Sequence, residues 1–211
     1  MKTQIVRSIV GLAVVMAASL AAAAQQANPP AGNAPPAPPP PGPTLAISSP
    51  SFGDGARVPT QYTCSATTPP PGGPRNISTG VSPALRWMNA PKGTMSFVLI
   101  LHDPDAHVPK ATTDITHWVV FNIPGDATGL PESVPPDAPL ASGGMQGTNI
   151  TGKAAYQGPC AGPPNPHHYT FELSALDQKL DLPQGATRDQ IQKAMEGHVL
   201  GSAVYIGLFN R

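Results

Sequence analysis

Residues 95–101 read MSFVLIL, an unbroken apolar run with turn-forming residues on both sides. Lys92-Gly93 stands before the run, and Asp103-Pro104 stands after it. A short apolar run with such boundaries is typical of a strand that is buried on both faces. The sequence therefore predicts a central β-strand from Met95 to Leu101.

A second strand is predicted over residues 116–123, which are mostly apolar. Side chains alternate between the two faces of a strand, and both faces of this one should be covered. The alternation assigns His117, Val119, Phe121 and Ile123 to one face, and Trp118, Val120 and Asn122 to the other.

Strand patterns also cover His168–Leu176 and Ser202–Phe209. One helix is predicted, because Thr187 and Gln190 form a capping box and Gly197 supplies a C-terminal stop. Strands dominate, and the sequence has no regular alternation of strands and helices. This pattern favours a mainly β fold with an antiparallel or mixed sheet over a parallel doubly wound sheet.

The N-terminus carries the pattern of a secretory signal peptide, because Lys2 and Arg7 precede an apolar run from Ile9 to Ala24 that ends in small residues. A membrane anchor is the alternative, but the run is barely long enough to span a bilayer. We expect cleavage after Ala24, which makes residues 1–24 the signal peptide. The product is then periplasmic or secreted, with no stable membrane anchor.

Residues 25–43 are predicted to form a Pro/Ala-rich linker, because they lack large apolar side chains that could build a core. Residues 44–211 have a suitable length for one domain. The chain has 12 basic and 12 acidic residues, and loss of Lys2 and Arg7 with the signal peptide leaves the acidic residues in excess. This balance argues against a nucleic-acid partner.

The chain has two cysteines, Cys64 and Cys160. In an oxidising compartment, an even number of cysteines is consistent with one disulfide. The bridge would close a long loop and contribute about 4 to 5 kcal/mol in the chain-entropy model. Two separate buried thiols are the alternative, and the spacing leaves both interpretations open.

Polar side chains suited to a binding site stand at the ends of the predicted strands. Asp103 follows the first strand, where it can project into a cleft, whereas Asp105 is expected to hold a tight turn. His117 begins the second strand, and His167 and Tyr169 share one face of a third because they are two residues apart. Imidazole and phenol groups are hydrogen-bond donors that suit an anion.

Several blocks of sequence resemble the phosphatidylethanolamine-binding family in order and spacing. They include residues 82–87 (SPALRW), 103–106 (DPDA) and 116–124 (THWVVFNIP). Residues 158–160 (GPC), 166–171 (PHHYTF) and 197–200 (GHVL) resemble the bacterial, Raf-kinase-inhibitor-like branch of that family. The resemblance covers nearly all of residues 44–211.

The resemblance implies a large central β-sheet packed on a smaller sheet, with few peripheral helices. It also implies a pocket for phosphate, phosphoryl head groups or small carboxylates. His168 stands where the family usually has arginine, and Ile115 stands where eukaryotic members carry tryptophan, so the charge and mouth of the pocket are expected to differ. The positions that correspond to the family's pocket and its rim are Asp103, His117, Gly158, Pro159, His167 and Tyr169.

These features predict an exported protein that binds a small phosphorylated or anionic ligand, with no catalytic residue, metal or cofactor. One alternative is inhibition of a protease or kinase through the pocket rim, with the insert Thr67–Gly80 as the surface for an unknown protein target. A hydrolase is disfavoured, because the sequence lacks a Gly-x-Ser-x-Gly motif and nothing places Ser142 or Ser174 beside an imidazole.

Two further motifs are weak. Asn76 and Asn149 begin tripeptides that match glycosylation acceptors, but such tripeptides are frequent by chance. No His-x-x-x-His helix or cysteine pair supports a metal site. The residues that such a metal site would use are His102, Asp103, His107 and His117.

Overall fold

A computed structural model describes residues 42–66, 80–137, 139–141 and 143–211. The predicted signal peptide, the linker up to residue 41, the insert up to residue 79 with Asn76, and Ser142 lie outside the described residues. Their assignments stay predictions. In the described part of the chain, no helix is both long and apolar enough to cross a bilayer.

Strands dominate the described residues. In this part of the chain, one α-helix, α1, spans Arg188–Met195, and a short 3-10 helix spans Thr60–Tyr62. The strands are β1 (Ala46–Ser48), β2 (Ala56–Arg57), β3 (Leu85–Met88), β4 (Ser96–His107), β5 (Asp114–Pro124), β6 (Gly129–Leu130), β7 (Met145–Gly147), β8 (His167–Leu176) and β9 (Val199–Phe209).

The strands form two sheets of unequal size. The main sheet has the strand order β2-β9-β8-β4-β5-β7, and the smaller sheet has the order β1-β3-β6. Neighbouring strands run antiparallel except for the parallel pair β2 and β9. The prediction of a mainly β fold, with a large central sheet packed on a smaller one and few helices, is confirmed.

Two hydrophobic clusters cover the two faces of the main sheet. The first lies between the sheets, where the rings of Trp87 and Phe97 have centroids 5.4 Å apart. The second lies under α1, where Val98 of β4 and Ile191 are both buried. Residues 96–101 of β4 are therefore buried on both faces, as the apolar run predicts. The strand begins at Ser96 instead of the exposed Met95, and it extends to His107 instead of ending at Leu101.

β5 contains an extra residue at its N-terminal end, and this bulge positions His117. Leu101 pairs with Trp118, whereas the next residue of β4 pairs with Thr116, so His117 is the extra residue. A bulge of this kind shifts the alternation of side chains by one. The His117 ring consequently contacts Tyr169 on the side of the first cluster. Its predicted place on the opposite face is wrong.

A second bulge lies near the other end of β5, at Asn122. This residue has a φ of 55°, a left-handed conformation that asparagine tolerates better than most residues. Its side chain donates to the Leu180 carbonyl at 2.8 Å and accepts from the Leu180 N–H at 2.7 Å. The shift moves Ile123 into the first cluster with Trp118, so its predicted face is also wrong.

The α1 helix begins and ends where its sequence predicts. The Thr187 hydroxyl accepts from the Gln190 N–H, and the Gln190 side chain accepts from the Thr187 N–H at 2.9 Å, which completes the capping box. Gly197 follows the helix with a φ of 83°, a conformation that glycine adopts without a Cβ penalty. Ile191 and Met195 bury the apolar side of the helix.

Candidate functional site

Four of the six predicted pocket residues come together at one end of the main sheet. Asp103 extends from β4, His117 from the bulge in β5, and His167 and Tyr169 from the start of β8. They border a hollow of about 280 Å³. The hollow is lined by Asp103, Ala106, Ile115, His117, Ile150, Thr151, Gln157, Cys160, Ala161, His167 and Tyr169.

The Asp103 carboxylate holds the other groups of the site in place. It is only 3% exposed. Its Oδ2 accepts a hydrogen bond from Nδ1 of His167 at 2.8 Å, and its Oδ1 accepts from the Asp105 N–H at 3.0 Å. The Tyr169 hydroxyl is a third hydrogen-bond partner. A buried carboxylate that accepts several hydrogen bonds fixes the orientation of its donors.

Tyr169 connects Asp103 to the loop that forms the wall of the hollow. Its hydroxyl oxygen accepts from the Cys160 N–H at 3.0 Å and from the Ala161 N–H at 2.9 Å. Burial raises the pKa of Tyr169 to about 12, and the charge of Asp103 acts in the same direction. The phenol therefore keeps its proton near neutral pH and is the donor in its hydrogen bond with Asp103.

Both histidines of the site carry a proton on Nδ1. His117 is 5% exposed, and its Nδ1 donates to the Gln157 carbonyl at 2.8 Å. Burial lowers the pKa of His117 below its ordinary value, although that hydrogen bond and the Asp103 charge oppose the shift. The Nδ1 of His167 donates to Asp103. Since a neutral imidazole carries one proton, Nε2 of each ring is left as a hydrogen-bond acceptor.

The predicted rim residues, Gly158 and Pro159, are buried and do not line the hollow. The Pro159 carbonyl instead accepts from the Cys64 N–H at 3.0 Å. The residues on either side of this pair, Gln157 and Cys160, form the wall. The loop has no regular alternation of faces, so the sequence offers no period from which the inward residues could be identified.

The structure joins Cys64 and Cys160 in a disulfide that closes a separation of 96 residues, with Cα atoms 5.3 Å apart. Of the two interpretations that the sequence leaves open, the geometry favours the bridge. Because Cys160 lines the hollow, the disulfide also fixes one wall of the site.

The two positions that depart from the family have different surroundings. Ile115 lines the hollow and gives its mouth an apolar side. His168 lies outside the lining with its side chain 54% exposed, and its Nδ1 and backbone N–H contact Oδ2 of Asp105 at 2.8 and 2.6 Å. The backbone hydrogen bond is the main cause that lowers the pKa of Asp105. Asp105 thus stabilises the turn, the role that its place in the sequence predicts.

Two lining residues that the sequence analysis missed, Ile150 and Thr151, come from a turn held by Asn149. The Asn149 side chain donates to the Ala155 carbonyl at 2.8 Å and accepts from the Thr151 N–H and hydroxyl at 2.9 and 2.7 Å. The residue is 7% exposed. Asn149 is therefore occupied as a structural residue in the folded chain, which argues against its use as a glycosylation acceptor.

The geometry gives no support to the alternative sites. His102 lies next to Asp103 in β4, but its Nδ1 contacts Oδ2 of Asp114 at 2.6 Å, and Asp114 also binds Arg188 of α1. Burial raises the pKa of Asp114, but these two partners outweigh burial and bring it below its ordinary value. Within the described ranges, no three His, Cys, Asp or Glu residues are grouped to hold a metal ion.

Ser174, one of the two serines considered for a hydrolase, also lies elsewhere. The Ser174 hydroxyl bonds the Ser202 hydroxyl at 3.0 Å and does not line the hollow. Ser142 lies outside the described residues. Among the lining residues, the hydroxyl groups belong to Tyr169 and Thr151, and both are already hydrogen-bonded within the protein.

Comparison with known proteins gives matches that cover most of the chain. A family model described as phosphatidylethanolamine-binding protein matches residues 48–210. A relative named UPF0098 protein, from Methanothermobacter thermautotrophicus, is 44% identical over 161 residues, which cover 76% of this chain and 95% of the relative.

Solved structures of similar proteins share the fold. The crystal structure of CT736 from Chlamydia trachomatis has a TM-score of 0.65 and 30% identity, and the match covers 80% of this chain and 98% of that one. YbcL from Escherichia coli, described as a new member of the mammalian PEBP family, has a TM-score of 0.65 and 25% identity, with 79% and 98% of the two chains covered.

Proposed function

This chain belongs to the phosphatidylethanolamine-binding protein family, and we propose that it is an exported protein that binds a small phosphorylated or other anionic ligand in the hollow. The observation that carries the proposal is the convergence of His117 and His167 beside Asp103 and Tyr169, all four of which border one space. A neutral imidazole accepts a hydrogen bond from a protonated oxyanion, an imidazolium donates one to an oxyanion, and this pair comes from two separate strands.

The size and construction of the hollow support a small ligand. Its volume of about 280 Å³ lies just below the range typical of sites for drug-sized molecules, which begins at roughly 300 Å³. Asp103 fixes His167 and Tyr169, and the Gln157 carbonyl fixes His117. Since these groups are already held in place, a ligand would order few side chains on binding.

A binding role is favoured over a catalytic one. The Tyr169 hydroxyl, with its raised pKa, is a poor nucleophile near neutral pH, and its oxygen already accepts two backbone hydrogen bonds. The Thr151 hydroxyl donates to Asn149. Neither hydroxyl lies within hydrogen-bonding distance of an imidazole that could activate it, in the part of the chain that the structure describes.

Export is proposed from two features. The N-terminal sequence has the charged, apolar and small-residue segments of a signal peptide. The Cys64–Cys160 disulfide suits an oxidising compartment, because such bonds are rare in a reducing cytosol.

We expect inorganic phosphate to bind the wild-type protein with a dissociation constant in the millimolar to micromolar range, equivalent to about 4 to 8 kcal/mol. The substitution His117→Ala should weaken binding at least about tenfold, because it removes a buried contact from the hollow. Isothermal titration calorimetry in a phosphate-free buffer measures both constants.

The control for this substitution is His198→Ala. His198 also pairs with a carboxylate, Asp177, but it is partly exposed and lies outside the hollow. Its replacement should leave the binding heat unchanged. Equal heats from the wild type and His117→Ala, with both proteins folded, would remove the assignment of the hollow as the binding site.

A further inference from the structure

The side-chain hydrogen-bond donors at the inner end of the hollow are already used by the protein. Tyr169 and Nδ1 of His167 both donate to Asp103. Nδ1 of His117 donates to the Gln157 carbonyl. The N–H groups of Cys160 and Ala161, which could have met a ligand, donate to the Tyr169 oxygen. When both imidazoles are neutral, the Gln157 amide is the lining side chain with hydrogens left to donate, so few protein hydrogens are available to a ligand oxygen.

The ring nitrogens that remain are acceptors. In the described ranges, neither Nε2 of His117 nor Nε2 of His167 has a hydrogen-bond partner. The Asp103 carboxylate adds a negative charge, and among the described residues no lysine or arginine belongs to the lining. The guanidinium of Arg211 reaches Sγ of Cys160 at 3.3 Å without lining the hollow. When both imidazoles are neutral, the inner end of the hollow therefore mainly accepts hydrogen bonds.

We infer that the hollow selects oxyanions that bring their own proton, such as singly protonated phosphate, over fully ionised oxyanions of the same shape and charge, such as sulfate. The P–OH group of hydrogen phosphate can donate to Nε2 of His117 or His167. Sulfate has no hydrogen to donate, so its oxygens would lie against these acceptor nitrogens without a hydrogen bond. The inference rests on the proposed function, because it names the ligand class for the same hollow.

Protonation of the imidazoles would change this preference. His117 faces Asp103, Tyr169 and the carbonyls of Gln157 and Gly158, with His102 nearby, whereas His167 faces Asp103 and Asp105. An imidazolium donates from both nitrogens, so each Nε2 then becomes a donor that sulfate can use. Burial lowers the pKa of His117, so this change occurs below the ordinary range of histidine. The ratio of phosphate affinity to sulfate affinity should therefore be largest at neutral pH and above, and should decrease as the pH falls.

The test is calorimetric titration of the full chain with sodium phosphate and with sodium sulfate at matched ionic strength. At about pH 7.5, where both anions are mainly dianions, we expect phosphate to bind at least about tenfold more tightly. At about pH 5 the ratio should fall, and sulfate binding should be accompanied by proton uptake. Proton uptake is measured as the dependence of the binding heat on the ionisation enthalpy of the buffer.

Two variants separate hydrogen bonding from charge. His117→Gln can place an amide donor where the imidazole has an acceptor, so the phosphate-to-sulfate ratio should decrease. Arg211→Gln removes a cation near the wall, and because both dianions feel that charge equally, the ratio should remain as in the wild type. The pH comparison on the wild type tests the inference even if His117→Gln does not fold.

The outcomes are distinct. Equal affinities for phosphate and sulfate at about pH 7.5, with both lost in His117→Ala, would overturn the selectivity and leave the proposed anion site in place. If the phosphate-to-sulfate affinity ratio changes in Arg211→Gln but not in His117→Gln, the selectivity comes from charge and not from hydrogen bonding. Failure of both anions to bind at either pH would remove the proposed function and this inference together.

Discussion

Replacement of Cys64 and Cys160 together by serine is expected to lower the free energy of unfolding by about 4 to 5 kcal/mol. The bridge spans 96 residues, and in the chain-entropy model a loop of that length strongly restricts the unfolded chain. The loss is a large part of the stability of an ordinary domain, which is about 5 to 15 kcal/mol. Equilibrium unfolding in urea, followed by tryptophan fluorescence, measures the change.

The same substitution should weaken phosphate binding, because the bridge fixes the loop that carries Cys160 and Ala161. The N–H groups of these two residues hold the Tyr169 oxygen, and both residues line the hollow. A reductant provides the matched control, since it should destabilise the wild type and leave the double-serine variant unchanged. If the oxidised wild type and the double-serine variant unfold at the same urea concentration, the bridge does not stabilise the fold.

Much of the fold could be predicted from local sequence patterns, because distant contacts do not change the structures that these patterns favour. The apolar run of β4 and the turn residues around it favour a strand covered on both sides, and residues 96–101 are buried, whereas Met95 precedes the strand and is exposed. Tyr169 and Phe171, which are two residues apart in β8, both lie in the first cluster, as the alternation of a strand requires. The capping box of α1 is a local hydrogen-bonded motif that two residues, Thr187 and Gln190, define.

The site could be predicted only in part, because its geometry depends on irregular backbone. A period of two predicts the faces of β5, but the bulges at His117 and Asn122 each shift that period by one residue. Whether a bulge forms depends on distant partners, such as Leu180 for Asn122. Gln157 and Ile150 line the hollow from turns without a regular period. The resemblance to the family identified His117 as a pocket residue even though the alternation placed it on the wrong face.

The substitution Tyr169→Phe is expected to lower the free energy of unfolding by about 3 kcal/mol, because it leaves two backbone donors without an acceptor. The hydroxyl oxygen accepts from the N–H groups of Cys160 and Ala161, and phenylalanine preserves the ring but cannot replace either bond. Each buried donor left unsatisfied costs about 1 to 3 kcal/mol. Urea unfolding of the oxidised protein measures the total.

Tyr156→Phe is the matched control. Tyr156 is also buried, but its hydroxyl makes one hydrogen bond, to the Tyr62 carbonyl at 2.7 Å, so its loss should cost about 1 kcal/mol. Tyr169→Phe also removes a donor from Asp103, and a second substitution, Asp103→Asn, should therefore couple to it in a double-mutant cycle. The two tyrosine substitutions could instead lower the free energy of unfolding equally, with no coupling to Asp103. That result would mean that the Tyr169 hydroxyl does not connect the wall of the hollow to the buried Asp103 carboxylate.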